Sequence, residues 1–306
     1  MNTNKVILSI IMSVHNGDKF ISETLESILT QVYQEWELIV LDNCSDDRTN
    51  DILKKYNDIK NITVIKEKIK LPRTKALNTA YRKISNDSLF VMNMDADDKL
   101  DKNWSKIAIS FLKKNTTIGC IAGSAKIIDE KSEVREQFKA LDKSGIINHL
   151  FSYTFPIVHS STIFRKSFFS TELGPYNEKV IIGQDWDLCI RLLNKCKFYY
   201  FNYPAVHWRR YGSSITGKIE NQLQSRLDKI YNINHGLNYA NNISLIIKNR
   251  SRIGIENLAL SFLYFKKNDY KNFLFKFLLS IIQNPLALFL NHRLLKMMGI
   301  KKEFYK

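Results

Sequence analysis

Cysteine, glycine-rich turns and long apolar runs are all scarce in this chain of 306 residues. The four cysteines show no CxxC pair or other zinc-binding spacing, and four thiols in this length do not indicate a disulfide scaffold. A protein of the reducing cytoplasm is therefore favoured. Since 44% of the residues are hydrophobic and 12% aromatic, the chain is globular rather than disordered.

The shortage of glycine and of apolar runs excludes two further classes. A dinucleotide-dependent oxidoreductase needs a GxGxxG turn behind its first strand, but SVHNGDKF holds only Gly17 there. The longest apolar stretch, residues 273–290, is interrupted by Lys276 and by the run Gln283, Asn284 and Pro285. A membrane span needs about 20 apolar residues, so no transmembrane helix is predicted.

Acidic residues become scarce toward the C-terminus. Residues 1–100 hold 14 basic and 15 acidic side chains, residues 101–200 hold 15 and 10, and residues 201–306 hold 17 and 5, a net charge of +12. In segments such as FLFKFLLSII the basic residues are interleaved with apolar ones, which favours contact with anionic lipid or another polyanion. The alternative is that these basic residues only form the solvent-exposed face of ordinary amphipathic helices.

Short apolar β-type runs alternate with helical patterns in the first half of the chain. The runs span residues 6–14, 36–42, 62–67 and 88–94, and a further strand is predicted over 119–129. Such alternation predicts an α/β fold with a largely parallel central sheet flanked by helices and ligands bound at the carboxyl ends of its strands. A helix is predicted from Gly183, and the chain beyond a soft boundary near Gly217 is predicted to be all-helical.

Carboxylates follow two of these strands. MNMDADDKL places Asp95, Asp97 and Asp98 directly behind the fourth strand, where their mutual repulsion calls for a cation such as Mg²⁺ or Mn²⁺. The alternative is that Asp97 or Asp98 only caps the next helix. Asp42 closes the second strand and suits a ribose hydroxyl or a base N–H, or else a turn. Asp185, taken alone, indicates a helix N-cap.

Six segments in order resemble the inverting, nucleotide-sugar-dependent glycosyltransferases of family 2, which have the GT-A fold. They are SIIMSVHNGDKFISETLESILTQ, WELIVLDNCSDDRT, KLPRTKALNTAYRKI with MNMDADD, HSSTIFRKS, GQDWDLCIRLL and WRRYGSSIT. The resemblance covers roughly residues 6–217. It implies a catalytic domain over 1–217, with a nucleotide-sugar half (1–115) and an acceptor half (116–217), followed by a basic helical region over 218–306.

The resemblance also implies a role for each matching residue. Asp185 is the expected catalytic base, and the expected metal ligands are Asp95 and Asp97, which match the outer carboxylates of the DxD motif. The other residues expected to bind the nucleotide-sugar are Val14, Asn16, Asp42, Arg73, Lys75 and Ala96. The residues expected on the acceptor side are His159, Gln184, Trp186, Arg209 and Arg210.

The implied activity is inverting, metal-assisted transfer of a sugar, from a donor expected to be UDP-linked, to a hydroxyl of a growing surface glycan such as lipopolysaccharide or capsule. The expected partners are a nucleotide-sugar, a glycan or lipid-linked acceptor and the anionic inner face of the cell membrane. Several residues depart from the family pattern, among them Cys44 and Arg48 where small residues are common and Lys70 where glycine is frequent. Gln184 precedes the base where an acidic residue is usual, and Tyr211 follows the paired arginines where histidine is frequent.

A basic protein that binds nucleic acid or another polyanion without catalysis is the alternative. Such a protein is expected to line one groove with basic residues and aromatic side chains between them. The first 100 residues carry a net charge of −1 instead. Nucleic acid is therefore not an expected partner.

Overall fold

The computed structural model describes residues 6–139, 143–146, 157–169, 174–181, 183–193, 195–211 and 243–284, with short pieces between 223 and 233. Contacts divide the chain into two compact units. The first contains the described residues up to 211, and the second contains those from 223 onward. The boundary predicted at Gly217 lies outside the described residues.

The first unit is built on a ten-stranded sheet whose first half is parallel. The strands β1 (Leu8–Val14), β2 (Trp36–Asp42), β3 (Ile62–Lys66) and β4 (Phe90–Asn93) lie in the order β3-β2-β1-β4. β1, β2 and β4 are almost wholly buried, as expected of parallel strands that read as continuous apolar runs. Val14 pairs with Asp42, and Asp42 with Lys66, so the carboxyl ends of β1, β2 and β3 lie together.

The second half of the sheet is mixed. The remaining strands are β5 (Lys99–Leu100), β6 (Ile118–Ile128), β7 (Val134–Phe138), β8 (Gly145–Ile146), β9 (Ile163–Arg165) and β10 (Lys197–Arg209). β9 runs antiparallel between β4 and β6, and β10 is parallel to β6. The carboxyl ends of β4, β6 and β10 therefore lie at the same edge as those of β1 to β3. The predicted α/β fold is confirmed.

Helices lie in both units. Those of the first unit are α1 (Ile21–Leu29), α2 (Thr49–Lys54), α3 (Arg73–Tyr81), α4 (Trp104–Lys114) and α5 (Gln184–Leu193), and those of the second are α6 (Ile243–Lys266) and α7 (Tyr270–Gln283). The expectation that Asp97 or Asp98 caps the next helix is wrong. Strand β5 follows those residues, and Asn103 is the N-cap of α4. Among the described helices, none has the length and apolarity to cross a membrane.

Candidate active site

The turns that follow β1 and β2 are tied to each other. Asn16 and Cys44 both adopt left-handed backbone conformations, with φ of 56° and 62°. The backbone N–H of Asn16 donates to Ser45 Oγ at 3.0 Å, and its side-chain amide donates to Asp46 Oδ1 at 2.6 Å. Asp46 N–H donates back to Asn16 Oδ1 at 3.0 Å. These reciprocal hydrogen bonds hold the turn after β1 against the turn after β2.

Asp42 is the last residue of β2, directly before the second of these turns, and is fully buried. Its Oδ1 accepts a hydrogen bond from the backbone N–H of Ser45 at 3.0 Å. Within the described part of the chain, no group donates to its buried Oδ2. Because a buried polar atom without a partner is costly, this oxygen is suited to accept from a bound ligand. The buried side chain of Val14 lies beside it in register.

Asp95 forms an ion pair with Arg73, the first residue of α3. Asn93 Nδ2 donates to Asp95 Oδ1 at 3.1 Å. Burial acts to raise the pKa of Asp95, but Arg73 and the neighbouring hydrogen bond act against it, and the pKa lies below its ordinary value. Asp95 is therefore a carboxylate whose negative charge the protein itself stabilises.

Asp97 and Asp98 lie in different surroundings. Burial, together with the charge of Asp95, raises the pKa of Asp97, whose Oδ2 accepts from Tyr211 Oη at 3.0 Å. Asp98 is only 1% exposed, and burial raises its pKa well above the usual range. It accepts from Ser160 Oγ at 2.6 Å and from the backbone N–H of Arg209 at 2.9 Å. Asp98 therefore joins the loop after β4 to Ser160 and to the end of β10.

Arg73 pairs with this loop and also lies within electrostatic range of Asp185 on α5. Asp95 is the main cause of the raised pKa of Arg73, and the charges of Asp97 and Asp185 raise it further. Asp185 is the second residue of α5, behind Gly183 in a left-handed conformation (φ 92°), and its Oδ1 accepts from the N–H of Trp186 at 2.9 Å. The structure thus brings together residues 73, 95, 97 and 185, which are distant in sequence.

A buried hydrogen-bonded chain runs from Asp95 to Tyr176. The Asn93 amide nitrogen lies 3.2 Å from His159 Nδ1, and His159 Nε2 lies 3.1 Å from Tyr176 Oη. Because an amide nitrogen only donates, Nδ1 is the acceptor and Nε2 carries the proton in the neutral imidazole. Burial lowers the pKa of His159, which favours that neutral form. His159 is thus linked to Asp95 through Asn93 and is 6% exposed.

The paired arginines lie in opposite environments. The side chain of Arg209 is fully enclosed, with Nε 2.8 Å from the Asp97 carbonyl, Nη1 2.9 Å from the Asp129 carbonyl and Nη2 3.1 Å from Glu23 Oε2. Arg210 is exposed and stacks on Trp208. Arg209 thus holds the loop after β4, and its expected acceptor-side role stays a prediction.

The other predicted site residues border the cluster. Lys75, the third residue of α3, is exposed. The Ala96 carbonyl accepts from Thr24 Oγ1 at 2.9 Å, which ties the loop to α1. Gln184 and Trp186 flank Asp185 on α5 and are 8% and 3% exposed. Their backbone places them beside the expected base, while their side chains point largely into the protein.

A divalent cation fits the chemistry of Asp97. In the described residues, no group of three or more His, Cys, Asp and Glu side chains could enclose a metal ion. Mg²⁺ and Mn²⁺ do not require one, because they commonly use one or two carboxylates together with substrate phosphates and water. Asp97 carries an incompletely compensated charge, as its raised pKa indicates. Since Arg73 already neutralises Asp95, Asp97 is the more available of the two predicted ligands.

Several residues of this cluster were not expected from the sequence: Phe20, Glu23, Asn93, Ser160 and Tyr176. Asn93 carried a signal, since it is a polar residue inside the apolar run before the acidic cluster. The others carried none, because their contribution depends on tertiary contacts.

The model of the family described as "Glycosyl transferase family 2" matches residues 9–172, more than half of the chain. An uncharacterized glycosyltransferase of Haemophilus influenzae is 26% identical over 260 residues, which cover 80% of this chain and 78% of that protein. The O-antigen biosynthesis glycosyltransferase WbnJ of Escherichia coli is 26% identical over 212 residues, which cover 66% and 75%.

Two solved structures share the fold. TarS from S. aureus in complex with UDP-GlcNAc superposes with a TM-score of 0.59 at 16% identity, covering 88% of this chain and 89% of that one. The mannosyltransferase PcManGT from Pyrobaculum calidifontis, in complex with GDP-Man and Mn²⁺, gives 0.60 at 14% identity, covering 98% and 82%. At such identities the likeness concerns the fold alone.

Proposed function

The chain belongs to glycosyl transferase family 2, and from this premise we propose that it transfers a sugar, with inversion, from a UDP-linked donor to a hydroxyl of a growing cell-surface glycan. TarS was solved with UDP-GlcNAc and PcManGT with GDP-Man, so both nucleotides belong in the test. The name of WbnJ, an O-antigen enzyme, supports a glycan or lipid-linked acceptor. The alternative of a binding protein without catalysis is set aside.

The observation that carries this proposal is the position of Arg73 among three carboxylates. It pairs with Asp95, and the charges of Asp97 and Asp185 act on it as well. The expected donor motif and the expected base therefore belong to one site. Arg73 Nε is buried, and the described residues offer it no acceptor. A phosphate or sugar oxygen of the donor would supply one.

The proposed mechanism assigns one task to each group. Asp42 Oδ2 accepts from the uracil or ribose, and Arg73 orients the donor from the other side. Asp185 takes the proton from the attacking acceptor hydroxyl, as single displacement requires. Asp97 would hold a divalent cation, which would supply positive charge to stabilise the negative charge that develops on the leaving diphosphate. Lys75 and Arg210, both exposed, are available to phosphate or acceptor groups.

Helix α7 supports the proposed contact with an anionic membrane. Tyr270, Leu274, Leu278 and Ile282 recur every four residues, and each is more than half exposed. Residues at this spacing lie on one face of a helix. The exposed Lys271 lies on the same helix. An apolar stripe beside basic side chains suits the interface of an anionic bilayer. Association with the inner, cytoplasmic face of the membrane is part of the proposal.

The test is a turnover screen against UDP- and GDP-sugars with a lipid-linked glycan primer as acceptor. NMR of the product reads its anomeric configuration. The proposal expects activity with a UDP-sugar and a product configuration opposite to that of the donor. A product that retains the configuration would contradict single displacement, and activity with GDP-sugars alone would contradict the UDP assignment.

A further inference from the structure

Tyr211 holds the side chain of Asp97 while its neighbour Arg209 holds the backbone. Tyr211 Oη donates to Asp97 Oδ2 at 3.0 Å. Arg209 Nε donates to the carbonyl of the same aspartate at 2.8 Å. Two residues at the end of β10 thus fix both parts of one residue in the loop after β4.

The ring of Tyr211 is itself held in place. It packs against Phe20 with 5.2 Å between the ring centroids. The guanidinium of Arg209 lies 4.3 Å from the centroid of the same Phe20 ring, which is 5% exposed. The backbone N–H of Arg210 bonds the Ile128 carbonyl at 2.9 Å and extends the contact of β10 with β6. The ring of Tyr211 and the backbone of the residue before it are therefore each held by a contact.

We propose that Tyr211 is the positioning residue of Asp97, fixing one carboxylate oxygen so that the partly exposed carboxylate is oriented toward a divalent cation and the donor diphosphate. This inference rests on the proposed function. Hydrogen bonds from outer groups orient the carboxylates that bind metals, and their loss typically weakens metal binding about 10- to 100-fold. Histidine, which is frequent at this position in the family, is a good metal ligand, whereas tyrosine is not. The tyrosine hydroxyl can instead orient the aspartate by a hydrogen bond.

The structure offers a matched control within β10, the strand that ends two residues before Tyr211. Tyr203 Oη donates to Asp101 Oδ1 at 2.7 Å, so Tyr203→Phe removes the same kind of tyrosine–carboxylate bond. That bond lies outside the cluster around Asp97. Tyr211→Phe keeps the ring that packs on Phe20 and loses only the hydroxyl. A difference between the two variants therefore reports on Asp97 and not on the general stability of β10.

The experiment measures Mn²⁺ binding to the full chain by electron paramagnetic resonance, in the presence of UDP, or of GDP if the donor screen selects it. Tyr211→Phe is expected to raise the Kd for Mn²⁺ about tenfold, and Tyr203→Phe to leave it unchanged. In turnover assays of Tyr211→Phe, the apparent KM for Mn²⁺ is expected to rise by a larger factor than kcat falls. In an Asp97→Asn background, adding Tyr211→Phe should have no further effect on Mn²⁺ binding.

The failures of the two proposals are distinguishable. If the wild-type protein binds Mn²⁺ and Tyr211→Phe binds it within twofold as tightly, the positioning role of Tyr211 is overturned and the metal role of Asp97 stands. Equal weakening in Tyr203→Phe also overturns it. If the wild-type protein with its nucleotide binds neither Mn²⁺ nor Mg²⁺, the metal proposal fails and this inference fails with it. Should Tyr211→Phe unfold, Phe20→Leu provides a second variant that loosens the packing of the Tyr211 ring. It is expected to raise the Kd for Mn²⁺, and a Kd within twofold of wild type would overturn the positioning role of Tyr211.

Discussion

Asp185→Asn separates the catalytic role of this residue from its structural one. Asp185 is the second residue of α5, and one of its oxygens accepts the N–H of Trp186 at 2.9 Å. Asparagine retains a carbonyl oxygen for that bond. The lost negative charge near the helix N-terminus costs about 0.3 to 1 kcal/mol. For a chain of this size the melting temperature should fall by no more than about 2 to 4 °C.

The expected effect on the reaction is far larger. An amide cannot accept the proton of the acceptor hydroxyl, and general-base catalysis contributes about 10² to 10⁴ in rate. At about 1.36 kcal/mol per factor of ten, this is roughly 2.7 to 5.4 kcal/mol of transition-state stabilisation. The donor affinity should change little, because the donor is proposed to contact Asp42 and Arg73. The signature is a collapse of kcat with a nearly unchanged melting temperature.

Asp187→Asn is the matched control on the same helix. Asp187 is 4% exposed, and its Oδ2 forms an ion pair with Arg191, four residues further along the helix, at 2.6 Å. Losing this charged pair should cost about 1.5 to 3 kcal/mol of stability, while turnover below the melting transition stays close to wild type. The two variants thus have opposite signatures in differential scanning fluorimetry and in the nucleotide-release assay. Near-normal turnover of Asp185→Asn would refute the assignment of the base.

Chelation should abolish transfer, and Mn²⁺ or Mg²⁺ should restore it; full activity of a demonstrably metal-free preparation would contradict the metal role. Asp42→Ala should weaken binding of the donor nucleotide at least tenfold in calorimetry, because a charged hydrogen bond contributes about 1.5 to 3 kcal/mol. Leu274→Ser with Leu278→Ser should reduce binding to phosphatidylglycerol vesicles without changing turnover on a soluble acceptor; unchanged vesicle binding would exclude this face. Because the pKa of His159 is lower in the folded protein than in the unfolded chain, the unfolded chain takes up the proton at a higher pH. The free energy of unfolding of the wild type should therefore fall as the pH drops below about 6.5. His159→Asn should reduce this fall in the free energy of unfolding. The same slope against pH in the variant and the wild type would show that His159 does not cause the fall.

Strands β1, β2 and β4 could be predicted because they are buried on both faces. Strand β2 spans the residues expected, Trp36–Asp42, and β6 differs from the expectation by one residue at each end. Parallel central strands carry apolar residues at every position, so a run of hydrophobic letters is enough to locate them. The carboxylates that follow such runs could then be placed at one edge of the sheet without any knowledge of tertiary contacts.

Strand β10 was not predicted, although with 13 residues it is the longest strand. Its sequence, KFYYFNYPAVHWR, mixes aromatic and polar residues and contains Pro204. Proline cannot donate to a sheet and normally argues against a strand interior. The structure accommodates it with shifts in register against β6 around Phe201 and Pro204. A bulge of this kind has no signature in one sequence.

The roles of the basic residues also required the structure. Sequence could not decide between Arg73 and Lys75, which lie two positions apart on α3. Residues at that spacing do not share a helix face, and only Arg73 pairs with Asp95. Likewise, Arg209 and Arg210 are adjacent in an extended segment and point to opposite sides. Which side is the interior depends on the contacts of β10 with β6 and with the loop after β4.

The three neighbouring carboxylates resolve their repulsion in three different ways. Asp95 is neutralised by Arg73, which keeps its pKa low. Asp98 is buried with its pKa raised well above the usual range, so it tends toward the uncharged form while it binds Ser160 and the backbone of Arg209. Asp97 accepts from the neutral hydroxyl of Tyr211 and shares the charge of Arg73, which already pairs with Asp95, and its pKa remains raised. The uncompensated charge of the cluster is thus concentrated on one carboxylate, which is where an added cation would stabilise the folded protein most.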